Sequence, residues 1–372
     1  MSATNGPAGT CRERRRLVGI CAALALALAA IVFAPTAANA QEGPPPRGPI
    51  YMALGDSISF GYSQQKFDEN YPTESPSAFE EGFDNFFGKD LKKSFKGIAI
   101  ENFACPGETS NGLIGENEAL GGQTSTEETS PPALYQGLGD WHPCAYHNVD
   151  HFPLHAGYGS LSQLEDAVNV LTENNKITDK PNEVKAITLN IGSNDELAAI
   201  AQCKIEVTHE FETTGKSTYG TTPGSAVIAC IVYTAQHVTA PHIVKNIGDV
   251  VGVLDHYYTG PIILVGFYNP DAFALPGSDE LQEGINAAIE AELLPHFPNL
   301  TFANPFPVFN RGAGTKPAKE KAAICTYTEM CNPNVQTGEP PAGENGDIHP
   351  TVKGYKALAK LIDGAYEANL AK

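Results

Sequence analysis

"IYMALGDSIS" (Ile50–Ser59) sets five residues that read as a buried strand directly before Gly55-Asp56-Ser57. A short apolar run closed by turn formers is the pattern of a strand covered on both faces. Gly, Asp and Ser are common turn residues, so one reading of Ser57 is simply a β-turn. The other places its hydroxyl at the carboxyl edge of a parallel sheet, where α/β proteins put their ligands.

Four further runs resemble the first: "GIAIENF" (97–103), "VKAITLNI" (184–191), "PIILVGF" (261–267) and "LTFAN" (300–304). Helical periodicity falls between them. In 160–175, Leu161, Leu164, Val168 and Leu171 share a face, with Ser160 as a cap. Residues 225–258 read as a long helix, bent or broken near Pro241. Residues 278–294 read as a helix capped by Ser278 or Asp279. Residues 351–370 form the last, with Tyr355, Leu358, Leu361 and Ile362 inward. Strands alternating with helices predict an α/β fold with a parallel sheet covered on both faces. Residues 104–159, 202–224 and 305–346 are polar and are expected to be long loops on the active-site side. No internal repeat is present.

Arg12, Arg14, Arg15 and Arg16 precede an apolar run, Leu17–Phe33, and "ANA" (Ala38–Ala40) precedes Gln41. This predicts a signal peptide over residues 1–40, cleaved near Ala40–Gln41, and a secreted protein; a membrane anchor is the alternative. No later run approaches the ~18 apolar residues of a spanning helix. A Pro-rich lead-in, 41–49, then precedes one domain, 50–372. Removing residues 1–40 takes away four arginines and one glutamate, leaving 20 basic and 42 acidic residues and a formal charge of −22. Such a surface argues against nucleic acid and anionic membranes as partners. Six cysteines remain, an even number in an exported chain, which suggests disulfides. Pairing in sequence order (105–144, 203–230, 325–331) would staple each loop-rich segment. No C-x-x-C motif occurs.

The strand ends carry the chemistry. Ser57 follows the first, Gly107 in "CPGETS" the second, and Asn194 in "GSND" the third; His349 in "GDIHP" precedes the last helix. In a parallel sheet all four converge on one edge. Acyl transfer needs a hydroxyl with an imidazole to take its proton. It also needs N–H donors for the oxyanion, here Ser57 N–H, Gly107 N–H and the Asn194 amide. A carboxylate behind the imidazole fixes its tautomer.

These four blocks, in this order over residues 50–365, resemble the SGNH (GDSL-type) hydrolase family. "CPGETS", "LSQLEDAVNVL" and "GFYNP" are similar to its exported bacterial lipase-like members. The resemblance implies a flavodoxin-like three-layer α/β/α fold with a central five-stranded parallel sheet. It also implies hydrolysis of carboxylic esters by a serine esterase or lipase without metal or cofactor. One departure stands out: the family usually has its acid three residues before the histidine, where this chain has Gly346. The nearest carboxylate is Asp347, two before; either it orients His349 or a backbone carbonyl does.

Asp56 reads as a turn-shaping residue, Ser59 as a helix-start or loop residue, and Asp195 as a cap or a tie between loops. Asn194 as a mere cap is the alternative to its oxyanion role. His349 reads otherwise as a surface histidine against Pro350, which would start the last helix. The histidines of 142–155 (His142, His147, His151, His155) repeat partly at helical spacing around Asp150, but Pro143 and Pro153 break the stretch. They are expected in an active-site loop, shaping an acyl pocket, rather than around a metal. "NLT" (Asn299–Thr301) is a glycosylation sequon with no bearing on a bacterial-type export signal. The expected partner is an ester substrate and the expected state a monomer. The alternatives are a carbohydrate acetyl esterase of the same fold and a non-catalytic secreted metal-binding protein.

Overall fold

The strands come first because they place everything else. In the computed structural model, β1 (Ile50–Gly55), β2 (Ala99–Asn102), β3 (Val184–Asn190), β4 (Ile262–Val265) and β5 (Leu300–Ala303) form one sheet in the order β2-β1-β3-β4-β5. Every pairing is parallel. This is the flavodoxin-like order, whose ligand crevice lies where the strand order reverses, at the carboxyl ends of β1 and β3. The structure describes residues 48–71, 73–115, 144, 147, 152–157, 162–175, 184–272, 277–310, 317–332 and 347–372. The expected signal peptide, its cleavage site and most of the lead-in lie outside these residues.

The helices are α1 (Ser57–Phe60), α2 (Gln64–Asn70), α3 (Phe83–Ser94), α4 (Ser110–Ile114), α5 (Gln163–Asn175), α6 (Ser193–Thr214), α7 (Pro223–Thr234), α8 (Ala240–Tyr257), α9 (Ser278–Glu292), α10 (Phe306–Phe309), α11 (Pro317–Tyr327) and α12 (Val352–Leu370). Side chains alternate across β1. Ile50, Met52 and Leu54 meet Leu164 and Leu171 of α5, Ile247 and Val251 of α8, and Ile285 and Ile289 of α9. Tyr51 and Ala53 meet Phe83 and Phe87 of α3 and Leu358 and Ile362 of α12. β1 and β4 are buried along their whole length, and β3 nearly so, which is why they read as apolar runs; the edge strand β2 is only half-buried and carries Glu101 and Asn102.

Several local expectations are corrected. Residues 202–224 are not a loop: α6 runs to Thr214, and α7 begins at Pro223. In 305–346 the described residues form α10 and α11 and a short 3₁₀ turn, Glu329–Cys331. The α5 start is held by Ser162 rather than Ser160, which is outside the described residues. The Ser162 hydroxyl accepts from Glu165 N–H (3.2 Å), and the Glu165 carboxylate accepts from Ser162 N–H (3.2 Å), a reciprocal cap. Neither Ser278 nor Asp279 caps α9; the residue before it is Gly277, and both side chains instead accept from the Asn269 amide. Thr351, not Pro350, starts α12, its hydroxyl accepting from Gly354 N–H.

The long helix is interrupted just before its proline. Between α7 and α8 lies a π turn, Ala235–Thr239, where Ala240 N–H reaches back five residues to the Ala235 carbonyl. Pro241 has no N–H to give, and the wide turn absorbs the missing bond. Pro223–Tyr257 is also long and apolar enough to cross a membrane by length and composition, against the expectation that no later segment would be. Its second half is a core element: Ile243, Ile247, Val250, Val251 and Leu254 are buried. Disulfides join Cys105–Cys144, Cys203–Cys230 and Cys325–Cys331, the sequence-order pairing.

Candidate active site

β1 ends by necessity at a glycine. Gly55 has φ +133°, and a Cβ there would lie 1.9 Å from the Asn190 carbonyl oxygen of β3. Only glycine lets the chain turn this close to its neighbour. Asp56 follows, its N–H on Asn190 O (3.0 Å) and its carboxylate accepting Ile58 N–H (2.9 Å). It therefore caps α1, the single turn that begins at Ser57. Ser59 Oγ donates to Leu54 O (2.8 Å), fastening the turn to the strand. Asp56 is fully buried, and burial pushes its carboxyl up to about 7, against the Ile58 N–H and the nearby His349.

Ser57 Oγ lies 2.8 Å from His349 Nε2, a contact between residues 292 apart in sequence. His349 Nδ1 faces Asp347 Oδ1 in a hydrogen bond, and Asp347 also accepts His349 N–H (3.1 Å) and Gln64 N–H (3.0 Å). Burial works to raise the Asp347 carboxyl. The His349 charge, the ring bond and the two backbone N–H donors outweigh it, and the group sits below the usual carboxylate range. Asp347 thus occupies the position that sequence left open between a carboxylate and a backbone carbonyl. Tyr268 Oη donates to Ile348 O (2.7 Å), and the Tyr62 ring packs on the His349 ring at 4.7 Å between centroids. Both hold the segment that carries the imidazole. Ser57 remains 9% exposed, and the His349 side chain 13%, so the pair faces solvent at one side.

Gly107 has φ +78°, in the left-handed region that its turn requires. The turn is bound to the β3 exit twice. Asn194 Nδ2 donates to Glu108 O (2.8 Å), and Asp195 accepts from Ser110 N–H (2.9 Å) and Ser110 Oγ (2.6 Å). Asn194 thus reaches the Gly107 turn rather than capping its own helix, and Asp195 is the tie between loops.

Two residues that sequence reasoning missed join the parts. Gln163, at the start of α5, accepts from Gly55 N–H (2.9 Å) and donates to Gly55 O (2.8 Å). Its amide also donates to Glu108 (3.0 Å), whose carboxylate accepts from Cys144 N–H as well. Burial pushes Glu108 up to about 8, against the Gln163 and Cys144 donors. The exits of β1, β2 and β3 are therefore one hydrogen-bonded unit. The only sequence signal was a glutamate beside Gly107 in "CPGETS" and a glutamine inside an otherwise amphipathic helix.

A cavity of about 80 Å³ adjoins this unit. Its walls include Ile58, Ser193 and Ile348, the chain neighbours of Ser57, Asn194 and His349, with Leu197, Ile200, Ile231, Ala235 and Phe267 making it mostly apolar. The histidine-rich segment does not line it among the described residues. His147 and His155 instead bond to Phe152 O and Phe60 O. Phe152 packs with Phe60, Phe79 and Tyr62, the ring that lies against His349. His142, Asp150 and His151 lie outside the described residues.

No family model and no curated protein matches the chain. Solved structures do. A lipase from a goat rumen metagenome is 14% identical, with a TM-score of 0.41 over 85% of this chain and 97% of that one. A carbohydrate esterase family 2 enzyme with a carbohydrate-binding domain, from Corynascus thermopiles (Myceliophthora fergusii), is 13% identical, with a TM-score of 0.41 over 89% and 68%. A member of the lipolytic G-D-S-L family from Veillonella parvula is 12% identical, with a TM-score of 0.37 over 86% and 98%. Identities and scores of this size leave the chemistry to be argued from the residues of this chain.

Proposed function

We propose that the protein is an exported serine hydrolase of carboxylic esters, of the SGNH type. The observation that carries the reading is the chain of contacts from Ser57 Oγ through the His349 ring to buried Asp347. A serine hydroxyl is a weak nucleophile until a base takes its proton. His349 Nε2 is at hydrogen-bond distance for that transfer. Ser57 Oγ then bonds the ester carbonyl carbon, and the carbonyl electron pair moves to oxygen. That oxyanion is met by the N–H groups of Ser57 and Gly107 and by the Asn194 amide. Collapse expels the alcohol, which takes the proton from His349. Water, deprotonated by the same ring, releases the acid and restores Ser57. Asp347 keeps Nδ1–H pointed away from the serine and stabilises the imidazolium.

The small apolar cavity walled by Ile58 and Ile348, the neighbours of Ser57 and His349, offers room for a short acyl chain beyond acetyl, and so supports an esterase or lipase over a polysaccharide deacetylase. A panel of nitrophenyl acetate, butyrate and longer esters, with acetylated xylan alongside, tests both points. The Ser57→Ala variant serves as blank. Turnover is expected to peak beyond acetyl and to vanish in the variant. Wild-type-level turnover in folded Ser57→Ala protein ends the proposal, and a preference for acetylated xylan redirects it to the carbohydrate esterase.

A further inference from the structure

The cavity walled by Ile58 and Ile348 is apolar over most of its surface, but not all of it. α6 turns Ser193, Glu196, Leu197 and Ile200 to it, steps of three, four and seven residues that mark one helix face. α9 turns Ser278, Leu281 and Gln282 to it, again one face. Inward positions of this kind are ordinarily apolar, as Leu197, Ile200 and Leu281 are. Glu196 and Gln282 break the pattern. Their side chains meet, Gln282 Nε2 donating to Glu196 Oε2 at 2.6 Å. Asp271, on the loop after β4, lines the same cavity.

With that bond made, three oxygens of the cavity-lining residues still have no donor among the described residues: Glu196 Oε1, Gln282 Oε1 and Asp271 Oδ1. They are not surface groups; Gln282 is 7% exposed. Burial pushes the Glu196 carboxyl up to about 7 against the Gln282 bond, and the charges of Asp195 and Asp271 push the same way. A buried acceptor without a donor destabilises the fold, and two leucines would join α6 to α9 without that penalty. The cavity walls include no Lys, Arg or His to supply the donor. A few convergent polar groups in an otherwise apolar pocket are the usual form of a site that fixes one end of a ligand.

We propose that this cavity selects an acyl chain that ends in a hydrogen-bond donor, a hydroxyl or a primary ammonium, with Glu196, Gln282 and Asp271 as its specificity-determining residues. Ile58 and Ile348 wall the methylenes next to the ester carbonyl, and the chain end meets the three oxygens. A hydroxyl brings one O–H. An ammonium brings three N–H, one for each oxygen, and a charge opposite to that of two carboxylates. The proposal rests on the ester-hydrolase reading and narrows its substrate from a short acyl ester to a hydroxyacyl or aminoacyl ester.

The test compares kcat/KM for ethyl esters of ω-hydroxy and ω-amino acids of about three to six carbons. Each is set against the ester that carries a methyl group in place of the donor. Wild type, Glu196→Leu and Gln282→Leu are assayed, with Ser57→Ala as blank. Wild type is expected to prefer a donor-ended chain over its methyl match by about tenfold or more at one length or another. Both leucine variants are expected to reverse that order, because methyl groups then stand where the oxygens took the donor. A merely structural role for the Glu196–Gln282 pair would lower both members of a match alike and leave their ratio unchanged. Should a leucine variant fail to fold, Gln282→Met is expected to move the ratio in the same direction. A preference confined to the hydroxyl arm or to the ammonium arm supports the proposal and names the donor. Methyl-ended chains turned over as well or better at every length, or a preference that the folded variants retain, overturn the proposal and leave the enzyme reading standing. Turnover of neither kind of ester overturns the enzyme reading, and the proposal with it.

Discussion

A neutral imidazole exists in two tautomers, and only the one with its proton on Nδ1 leaves Nε2 free to accept from Ser57. Asp347 selects that tautomer, because its carboxylate is buried, held ionised by the His349 charge and by two backbone N–H groups, and bonded to Nδ1. Asparagine at 347 keeps the size but offers an N–H of its own and invites the wrong tautomer. Asp347→Asn is therefore expected to lower kcat on a soluble ester by about 10²-fold or more while KM changes little. A loss much under tenfold would assign the orienting role elsewhere. Ser57 and His349 were legible because each sits in a short block at an element edge, whereas Asp347 was left open because it stands two residues before the histidine and not three. Gln163 and Glu108 were not, because their meaning lies in partners far along the chain: Gln163 bonds Gly55 across 108 residues and Glu108 across 55.

At the scale of elements, three strand exits have to stay in register for Ser57, Gly107 and Asn194 to face one point. Glu108 is the fastener, taking Cys144 N–H and the Gln163 amide on its carboxylate and Asn194 on its carbonyl. Its packing is tight: a Cβ at Gly112 would come 2.0 Å from Glu108 Oε1. Glu108→Ala keeps the backbone carbonyl but removes both accepting oxygens, leaving the Cys144 N–H and the Gln163 amide without this partner. It is expected to cost about 1–3 kcal/mol of stability in urea melts. A drop in kcat without a matching rise in KM should accompany it, since the donors proposed for the oxyanion would be misplaced. Unchanged kcat would make Glu108 a purely structural group. Elements were legible where burial was two-sided, as in β1, β3 and β4. They were not where a helix shows most of its circumference to water. In α6 the buried positions are Asn194, Ala198, Cys203 and Val207, too sparse a stripe to stand out among Thr, Glu and Lys, so the segment read as loop.

The whole molecule carries a linkage set by its buried acids. Asp56, Asp84 and Glu108 are buried, and burial pushes them to about 7, 7 and 8. In the unfolded chain such groups titrate near 4. Between those values the folded state binds more protons than the unfolded one, so stability falls as pH rises from about 4 to 8. Asp347 has the opposite sign: its folded carboxyl lies below the ordinary value, and its contribution is lost only as pH falls into the acid range. Urea midpoints are expected to decline steadily from pH 5 to pH 8, with a separate loss at the acid end. A midpoint that rises over that span would mean these carboxyls are not protonated in the folded protein. A parallel sheet covered on both faces followed from strand and helix alternation, and its three-layer form from the four-block resemblance, whereas the cavity did not follow from either. It is walled by residues of α6 and α7 that lie far from Ser57 in the chain, a placement no local pattern records.

The account rests on a serine activated by a histidine from the far end of the chain, and a fluorophosphonate probe reads that activation directly. Intact mass and peptide mapping are predicted to show one adduct per chain, on Ser57, absent in Ser57→Ala and much slower to form in His349→Ala. An unlabelled wild-type protein, or a label carried by any other residue, would contradict it.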